Sequence, residues 1–369
     1  MRAPTLTDGP VTLRGHRPED VDAVLAQATD EASRRWTTVP VPYSRADAVD
    51  WIASRRAAWA SDTDERTFVV EADGRYAGQV GLRPDGEGAA DIGYGLAPWA
   101  RGRGLMSAAV RLALSWAFAE AGLAVVHWRA HVGNWPSRRV AWACGFRIEG
   151  TVRGLEVQRG ERRDAWIGSI LPEDEMRPRH PWFEVPTLRC GDVALRRHTD
   201  EDALRIAEAC AHPSTQQWLP ALPSPYTLLD AAEYLAGREE QHARGAGVYW
   251  AVADTRDDRL LGAVGLSDVT TRSAEVGYWV HPDARGRGVA TAATRLAVRH
   301  ALMPEDVGGL GLERVALRAA EGNVASQRVA QRAGFTLVGR DRAAERLRDG
   351  TARDFLRYDR LATDPPTPR

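Results

Sequence analysis

The amino-acid sequence contains the same pattern of residues twice, at a separation of about 185 positions. VTLRGH at residues 11–16 returns as VALRRH at 193–198, and ADIGYGLAPWARGRGLM at 90–106 returns as AEVGYWVHPDARGRGVA at 274–290. Solenoid repeats are only a few tens of residues long, so a period of this length indicates a duplicated domain. The chain is therefore expected to fold as two similar units.

The length of the chain agrees with a duplication, because 369 residues are enough for two domains that each bury a core. Between the copies, residues 171–186 (LPEDEMRPRHPWFEVP) are rich in proline and charge, which is typical of a linker. We predict an N-terminal domain at 1–174, a linker at 175–185 and a C-terminal domain at 186–369.

Composition places the chain among ordinary globular proteins, with 27% charged and 44% hydrophobic residues. The formal net charge of −1 argues against the basic field of a nucleic-acid-binding protein. All basic residues are arginine, which excludes a lysine-dependent Walker phosphate loop. The three cysteines lack metal-ligand spacing, and no segment resembles a signal peptide or a membrane span. We expect a cytoplasmic protein with no metal, membrane or nucleic-acid partner; the oligomeric state is open.

Within each copy, short apolar runs alternate with amphipathic segments, which is typical of an α/β fold. We predict a mixed sheet of about six or seven strands in each copy, with a hairpin before the glycine-rich turn and a second strand pair at the end. The predicted helices that flank the repeated motifs lie at 45–60, 105–119 and 135–143 in the first copy and at 228–244, 289–302 and 324–333 in the second.

The string Arg-Gly-Arg-Gly follows an apolar strand and opens a helix in each copy. Glycines let backbone N–H groups curl around an anion without Cβ clashes, and the helix start adds about half a positive charge. Arginine side chains add charge-assisted hydrogen bonds, so the pattern predicts a phosphate site. The predicted phosphate-binding residues are Arg101, Gly102, Arg103 and Gly104 in the first copy and Arg285, Gly286, Arg287, Gly288 and Val289 in the second.

A second motif follows the helix: Asn and Ser three residues apart, then Gly-Phe. The order strand, R-x-x-G-x-A turn, helix, strand and N-x-x-S-x7-G-F resembles that of the GNAT acetyltransferases. The serine three residues after the Asn is similar to the one in their RimJ/RimL branch. The resemblance covers nearly the whole chain and implies two tandem GNAT acyl-CoA N-acyltransferase folds, each an α/β unit with a mixed sheet. It also implies a splayed sheet that accepts the pantetheine arm of acetyl-CoA, with the pyrophosphate on the turn. The sixth turn position is Ala290 in the second copy and the bulkier Met106 in the first.

Acetyl transfer to an amine requires a group that removes the amine proton. Glu275 lies on the strand before the second turn and aligns with the catalytic glutamate of some GNAT enzymes; Asp91 is its shorter counterpart. A carboxylate here could act as the base directly or through a water molecule. The alternative is a strand-edge acid held by a neighbouring arginine.

The resemblance also assigns roles to the Asn and Ser of the second motif. Asn323 is similar to the residue that bonds the pantetheine amide, although Asn also caps helices. Many GNAT enzymes carry a tyrosine acid where this chain has Ala330, so Ser326 or a water molecule would have to serve as the proton donor. The same assignments apply in the first copy to Asn134, Ser137 and Ala141.

Two of three further pairs of repeated residues are candidates for the acceptor side. A helix is predicted to begin at Pro18-Glu19-Asp20, and the tryptophans in the loop after it and in the equivalent loop of the second copy could line an acceptor pocket. Histidines on the strand-to-helix turn read as structural, and late aspartates could bind an acceptor amine or form a sheet-edge ion pair. These pairs are Trp36 and Trp218, His16 and His198, and Asp164 and Asp354.

The sequence thus predicts an N-acetyltransferase that uses acetyl-CoA and a primary amine, either a protein N-terminus or a small molecule. The C-terminal copy is the stronger candidate for catalysis, because its turn matches the motif at every position and because it has Glu275. Two alternatives remain: an acyl-CoA-binding or scaffold protein with inactive copies, and RNA binding through the arginine-rich turns. The near-neutral charge argues against the latter.

Overall fold

The computed structural model describes residues 2–60 and 65–365. The chain divides into two compact units, one ending at Arg179 and the other beginning at His180. The division falls within the segment predicted as a linker. Each unit contains one sheet of eight strands with helices packed on both faces.

The N-terminal unit contains strands and helices in alternation. Its strands are β1 Leu6–Asp8, β2 Val11–Arg14, β3 Arg66–Ala72, β4 Arg75–Pro84, β5 Ala89–Leu96, β6 Val125–His131, β7 Arg147–Gln158 and β8 Glu161–Ile170. Its helices are α1 Val21–Thr29, α2 Glu31–Trp36, α3 Arg45–Ala58, α4 Leu105–Ala119 and α5 Trp135–Ala143. The strand order is β1-β2-β3-β4-β5-β6-β8-β7.

The C-terminal unit repeats this arrangement. Its strands are β9 Leu188–Cys190, β10 Val193–Arg196, β11 Gly247–Asp254, β12 Leu260–Ser267, β13 Ser273–Val280, β14 Arg314–Ala320, β15 Thr336–Arg346 and β16 Ala352–Leu361. Its helices are α6 Ala203–Ala211, α7 Pro213–Gln216, α8 Leu228–Ala243, α9 Val289–Leu302 and α10 Val324–Arg332. From β9 to β15 the strand order is the same as in the first unit.

The predicted elements are present, with two differences. Each sheet has eight strands rather than six or seven, because a three-residue edge strand, Leu6–Asp8 or Leu188–Cys190, precedes β2 or β10. Such short segments carry too few residues to show an alternating pattern. In addition, the loop after the first helix contains a short helix, α2 or α7.

Each unit buries its main core between one face of the sheet and the helix that follows the Arg-Gly-Arg-Gly turn. In the C-terminal unit, Ala293, Ala297 and Ala301 of α9 are almost fully buried at helical spacing. Small residues on this face let the helix lie close to the sheet. The other face packs against α6 and α8, as it packs against α1 and α3 in the N-terminal unit.

The two central strands of each sheet are parallel and separate along their length. β13 and β14 pair only from Ser273–Arg314 to Glu275–Ala316, although the strands continue to Val280 and Ala320. β5 and β6 likewise pair only as far as Ile92 and Trp128. The backbone edges beyond these points face each other without a shared ladder. This is the splayed centre that the sequence resemblance implies.

Candidate active site

The Arg-Gly-Arg-Gly turn depends on glycine for its backbone conformation. Gly286 and Gly288 have φ angles of +75° and +79°, in the left-handed region that favours glycine. A Cβ atom built on either residue would meet nothing within 4 Å, so the protein leaves open space around the turn. Gly102 and Gly104 of the first copy have φ angles of +70° and +75° and the same free space.

The helix that follows each turn begins with its N–H groups uncapped. Gly288 is the N-cap of α9, none of the described side chains caps the helix, and its first turn carries no acidic residue. The first N–H groups and the helix dipole therefore present a positive end. α4 begins in the same way after Gly104.

The turn arginines have different partners in the two units. In the C-terminal unit, Arg285 donates to the carbonyl of Val280 at 3.1 Å, to the Thr215 hydroxyl at 2.7 Å and to the Ser214 hydroxyl. These partners are neutral, and burial lowers the pKa of Arg285. Arg287 lies 3.7 Å from Asp254.

In the N-terminal unit the corresponding arginines are paired with carboxylates. Arg101 forms an ion pair with Asp30, the N-cap of α2, and this hydrogen bond lowers the pKa of Asp30. Arg103 lies 2.9 Å from Asp73. The corresponding cap of α7 is His212, so the second copy lacks the carboxylate that meets the first turn arginine.

A cavity of about 660 Å³ extends from the C-terminal turn into the gap between β13 and β14. Its volume lies within the range of small-molecule and cofactor sites. Residues of the turn, of both strands, of α10 and of the loop after α7 line it together. They include Trp218, Tyr278, Arg285, Asn323, Ser326 and Glu345.

Asn323 and Ser326 lie at the start of α10, inside this cavity. The side-chain oxygen of Asn323 accepts the Ser326 N–H at 3.1 Å, which is the capping role considered from the sequence. Among the described residues, no protein group accepts from the carboxamide nitrogen, which leaves it available to a ligand. Asn134 caps α5 in the same manner, with a distance of 3.3 Å to the Ser137 nitrogen.

A tyrosine that sequence reasoning did not select lies beside each serine. The hydroxyl of Tyr278 is 2.8 Å from Ser326 Oγ, and burial raises the pKa of Tyr278 to about 12. In the N-terminal unit, Tyr94 lies 3.3 Å from Ser137 Oγ. Both tyrosines belong to the repeated Gly-Tyr of the strand before the turn, so the duplication contained the signal that could have identified them.

Glu275 is held by an arginine. Both of its carboxylate oxygens accept from Arg318 Nε at 3.1 Å, and Arg318 lines the cavity. Asp91 is bound by Arg129 on β6, which donates from Nε at 3.2 Å to one carboxylate oxygen and from Nη2 to the other. The ion pair considered as an alternative from the sequence is therefore present in both units, and Glu275 lies at the last paired position of β13, outside the cavity lining.

Glu345 is a second carboxylate of the site, and sequence reasoning missed it. It lines the cavity from β15, directly after a bulge at which the register with β16 shifts between Asp341 and Glu345. Ala343 in the bulge has a φ angle of +48° and donates its N–H to Asp354 at 2.8 Å. Bulges of this kind redirect side chains near functional sites.

Asp354 thus supports the sheet. In addition to its contact with the bulge, Asp354 forms an ion pair with Arg340 at 2.7 Å, which is one of the two roles considered from the sequence. Asp164 likewise accepts from the N–H of Gly154 at 2.8 Å, in the equivalent bulge before Glu156. Glu156 also lies 3.5 Å from Arg129.

The two candidate acceptor tryptophans pack beside the Asn motif. A Cβ on Gly322 would lie 3.3 Å from the ring of Trp218, and one on Gly133 would lie 3.6 Å from that of Trp36. Each of these glycines directly precedes the capping Asn. Trp218 lines the cavity, so the loop after α7 forms one of its walls.

His16 and His198 lie outside the cavity lining. His16 is buried against Trp51, and His198 packs against Tyr234. Burial lowers the pKa of each histidine to about 4, so both are neutral at pH 7. They are parts of the sheet-to-helix packing, as the sequence suggested.

The described part of the chain contains neither a metal-ligating cluster nor a helix suited to span a membrane. No group of three or more potential metal-ligating side chains occurs there. No helix within residues 2–60 and 65–365 has the length and apolar character needed to cross a membrane.

Comparison with known proteins assigns the family. The model of the acetyltransferase (GNAT) domain matches twice, at residues 11–147 and 192–336. These matches cover most of the chain, one in each unit, and agree with the strand order and the splayed centre. The chain belongs to the GNAT acetyltransferase family, as two tandem domains.

Individual curated relatives match a smaller part of this chain than the family model does. YdaF of Bacillus subtilis (strain 168) is 39% identical over 102 residues, which are 27% of this chain and 47% of that protein. The ribosomal-protein-serine acetyltransferase of Escherichia coli (strain K12) is 26% identical over 122 residues, 32% of this chain and 64% of that protein. The chain thus spans about half to two thirds of the length of these relatives. Among solved structures, RimJ of Mycobacterium smegmatis in complex with CoA-disulfide is 23% identical, with a TM-score of 0.43 over 50% of this chain and 90% of that one.

Proposed function

We propose that this protein transfers an acetyl group from acetyl-CoA to a primary amine, and that the C-terminal unit carries out the reaction. The observation that carries the proposal is that the glycine turn, Asn323, Ser326 and the carboxylate of Glu345 line the same cavity. A phosphate site, an amide-binding group and a base are the parts that acyl-CoA-dependent transfer to an amine requires.

The residues present fit an acyl-CoA. The uncapped start of α9 and the turn with Arg285 would hold the pyrophosphate. The free edges of β13 and β14 would accept the amide groups of the pantetheine arm, together with Asn323. Acetyl-CoA would supply the thioester as the activated acyl group.

The charges around the turn favour the C-terminal unit. In the N-terminal unit each turn arginine is paired with a carboxylate of its own, Asp30 or Asp73. In the C-terminal unit Arg285 has neutral partners, and Asp254 near Arg287 is already bound by Arg256 at 2.7 Å. The second turn therefore keeps more positive charge for a phosphate, which accords with the fit of Ala290 to the motif.

Two carboxylates are candidates for the base that takes the amine proton. Glu275 occupies the position that the family resemblance indicates, but Arg318 binds both of its oxygens. Glu345 lines the cavity itself. Among the charged residues that line the cavity, Glu345 supplies the carboxylate that a cationic amine would meet before it is deprotonated.

The acceptor that we propose is a protein N-terminus or a small amine. The relative from Escherichia coli is named for a ribosomal-protein acetyltransferase activity, which supports the first. The wall formed by Trp218 and the following loop would contact the acceptor, and such loops differ between enzymes of one fold.

A thiol-release assay over a panel of peptides, amino acids, polyamines and aminoglycosides tests the proposal. We expect turnover by the whole chain, and its loss in Gly288→Val, because valine is strained at this φ angle. Gly104→Val, the matched change in the other unit, should keep most of the activity. If Gly104→Val loses activity and Gly288→Val keeps it, the assignment to the C-terminal unit is wrong.

The base can be identified by the same assay with Glu345→Gln and Glu275→Gln. We expect the variant that lacks the base to lose about two orders of magnitude or more in kcat and to lose the acidic limb of the pH profile. If both variants retain wild-type kcat, neither glutamate is the base.

A second candidate function is acyl-CoA binding without catalysis. The fully buried Ala330, where many family members carry a tyrosine, favours it. Calorimetric binding of CoA together with no turnover over the entire panel would support this function over the enzyme.

A further inference from the structure

The contact between Tyr278 and Ser326 joins two elements that lie far apart in the sequence. Tyr278 is on β13 and Ser326 is in the first turn of α10, yet their hydroxyl oxygens are 2.8 Å apart. Both residues line the cavity. The serine that replaces the usual tyrosine acid is therefore itself hydrogen-bonded to a tyrosine from another element.

The N-terminal unit contains the same pair in a different hydrogen-bond pattern. Tyr94 donates to the backbone carbonyl of Ser137 at 2.8 Å, and Ser137 Oγ donates to the Tyr94 oxygen at 3.3 Å. Ser137 Oγ also accepts from the indole N–H of Trp128 at 3.2 Å. The serine proton in this unit is thus used within the protein.

In the C-terminal unit the distances favour the opposite direction for the hydrogen bond between the tyrosine and serine hydroxyl groups. The Tyr278 hydroxyl is 3.4 Å from the Ser326 carbonyl oxygen but 2.8 Å from Ser326 Oγ. A phenol has one proton, and the nearer oxygen is the better acceptor. Leu317 takes the position of Trp128, and its side chain has no N–H to donate. With Tyr278 as the donor, which the shorter distance favours, Ser326 keeps its own proton for a group in the cavity.

We propose that Tyr278 is a positioning residue that donates to Ser326 Oγ and so directs the serine proton to the sulfur that leaves during acetyl transfer. This inference rests on the proposed function. In the reaction, the amine nitrogen bonds to the acyl carbon, the carbon–sulfur bond breaks, and its electron pair leaves with sulfur. The amine proton goes to a carboxylate of the site.

Tyr278 and Ser326 act as hydrogen-bond donors and keep their protons. The ordinary pKa of a thiol is about 8.5, well below the value of about 12 to which burial raises the pKa of Tyr278. Proton transfer from the tyrosine through the serine to the thiolate is therefore unfavourable by roughly three orders of magnitude. A hydroxyl that accepts one hydrogen bond is a stronger donor of the next, so the pair stabilises the charge that develops on sulfur. The thiolate then takes its proton from solvent.

The test uses Tyr278→Phe, Ser326→Ala and the double variant in the full-length chain. We expect Tyr278→Phe to lower kcat by roughly tenfold to a hundredfold, with the KM for acetyl-CoA nearly unchanged. Because the tyrosine acts through the serine, the double variant should be no slower than Ser326→Ala alone.

A second readout does not depend on turnover. The pKa of the thiol of bound CoA can be followed by thiolate absorbance during a pH titration. We expect the wild-type protein to lower this pKa by about one unit relative to free thiol, and Tyr278→Phe to abolish most of the decrease.

Tyr358→Phe is the matched control. Tyr358 is buried in the same core near Tyr278 but does not line the cavity, so its variant loses a neighbouring phenol oxygen without removing a cavity-lining group. Additive losses in the double variant, or an unchanged thiol pKa in Tyr278→Phe, would overturn the inference. If the wild-type chain binds CoA but acetylates no amine, the proposed function fails, and the thiol titration still decides whether the pair interacts with sulfur.

Discussion

A histidine with buried ring nitrogens recurs at matched positions of the two units. His16 and His198 follow β2 and β10, and burial lowers the pKa of each to about 4. In the unfolded chain a histidine takes up a proton near pH 6.5. The folded state therefore binds fewer protons between pH 6.5 and 4, so this contribution to stability is complete above pH 6.5 and is lost as the pH falls towards 4.

This linkage predicts an acid-sensitive fold. Between pH 7 and pH 5, each of these histidines should remove about 2 kcal/mol from the free energy of unfolding of its own unit. Denaturant titrations of the wild type and of His16→Gln at both pH values measure the effect. The variant should be less stable at pH 7 but should lose less stability on acidification. An identical pH dependence in both proteins would show that His16 is not responsible.

The hydrogen bonds of the candidate catalytic serines also depend on individual neighbouring side chains. Ser326 differs from Ser137 mainly through its neighbours, because Leu317 stands where Trp128 donates to the first serine. Matching sequence motifs in the two units thus give hydroxyl groups with different hydrogen bonds. Equal motifs do not imply equal chemistry.

At the level of elements, the short helix after α1 or α6 determines the charge at the phosphate turn. Asp30 caps α2 and pairs with Arg101, whereas His212 caps α7 and leaves Arg285 with hydroxyl partners. The identity of one cap residue therefore decides whether the turn arginine is paired with a carboxylate or can bind a phosphate.

Exchanging this cap tests the electrostatic argument. We expect His212→Asp to place a carboxylate near Arg285 and to weaken CoA binding by about two- to fivefold. His212→Asn is the control, since Asn caps a helix as well as Asp but carries no charge. Calorimetry at low ionic strength gives both affinities. Equal weakening in the two variants would attribute the effect to the cap geometry instead of the charge.

At the level of the whole molecule, the two units share a fold but differ at the turn, at the acid before it and beside the serine. We therefore expect one strong CoA site per chain, in the C-terminal unit, and a weaker one in the N-terminal unit. Gly288→Val should remove the strong site, and Gly104→Val should leave it intact. Calorimetric stoichiometry checks this expectation, and two sites of equal affinity would contradict it.

The sequence by itself determined the duplication, the α/β class, the family resemblance and the bounds of α4 and α9. These features are local or periodic: an amphipathic helix, a glycine turn and an Asn cap are each encoded within a few residues. The same local signals placed Asn323 and Ser326 at a helix start, and the structure brings both into the cavity.

Only the tertiary structure decided which side chains meet. Arg318 reaches Glu275 across two parallel strands, Tyr278 reaches Ser326 from another element, and a bulge brings Glu345 into the cavity. These contacts depend on strand register and on the separation of β13 and β14, which follow from the packing of the whole unit and not from any short segment. The local sequence could therefore indicate the phosphate turn, while the partners of the catalytic candidates had to be read from the fold.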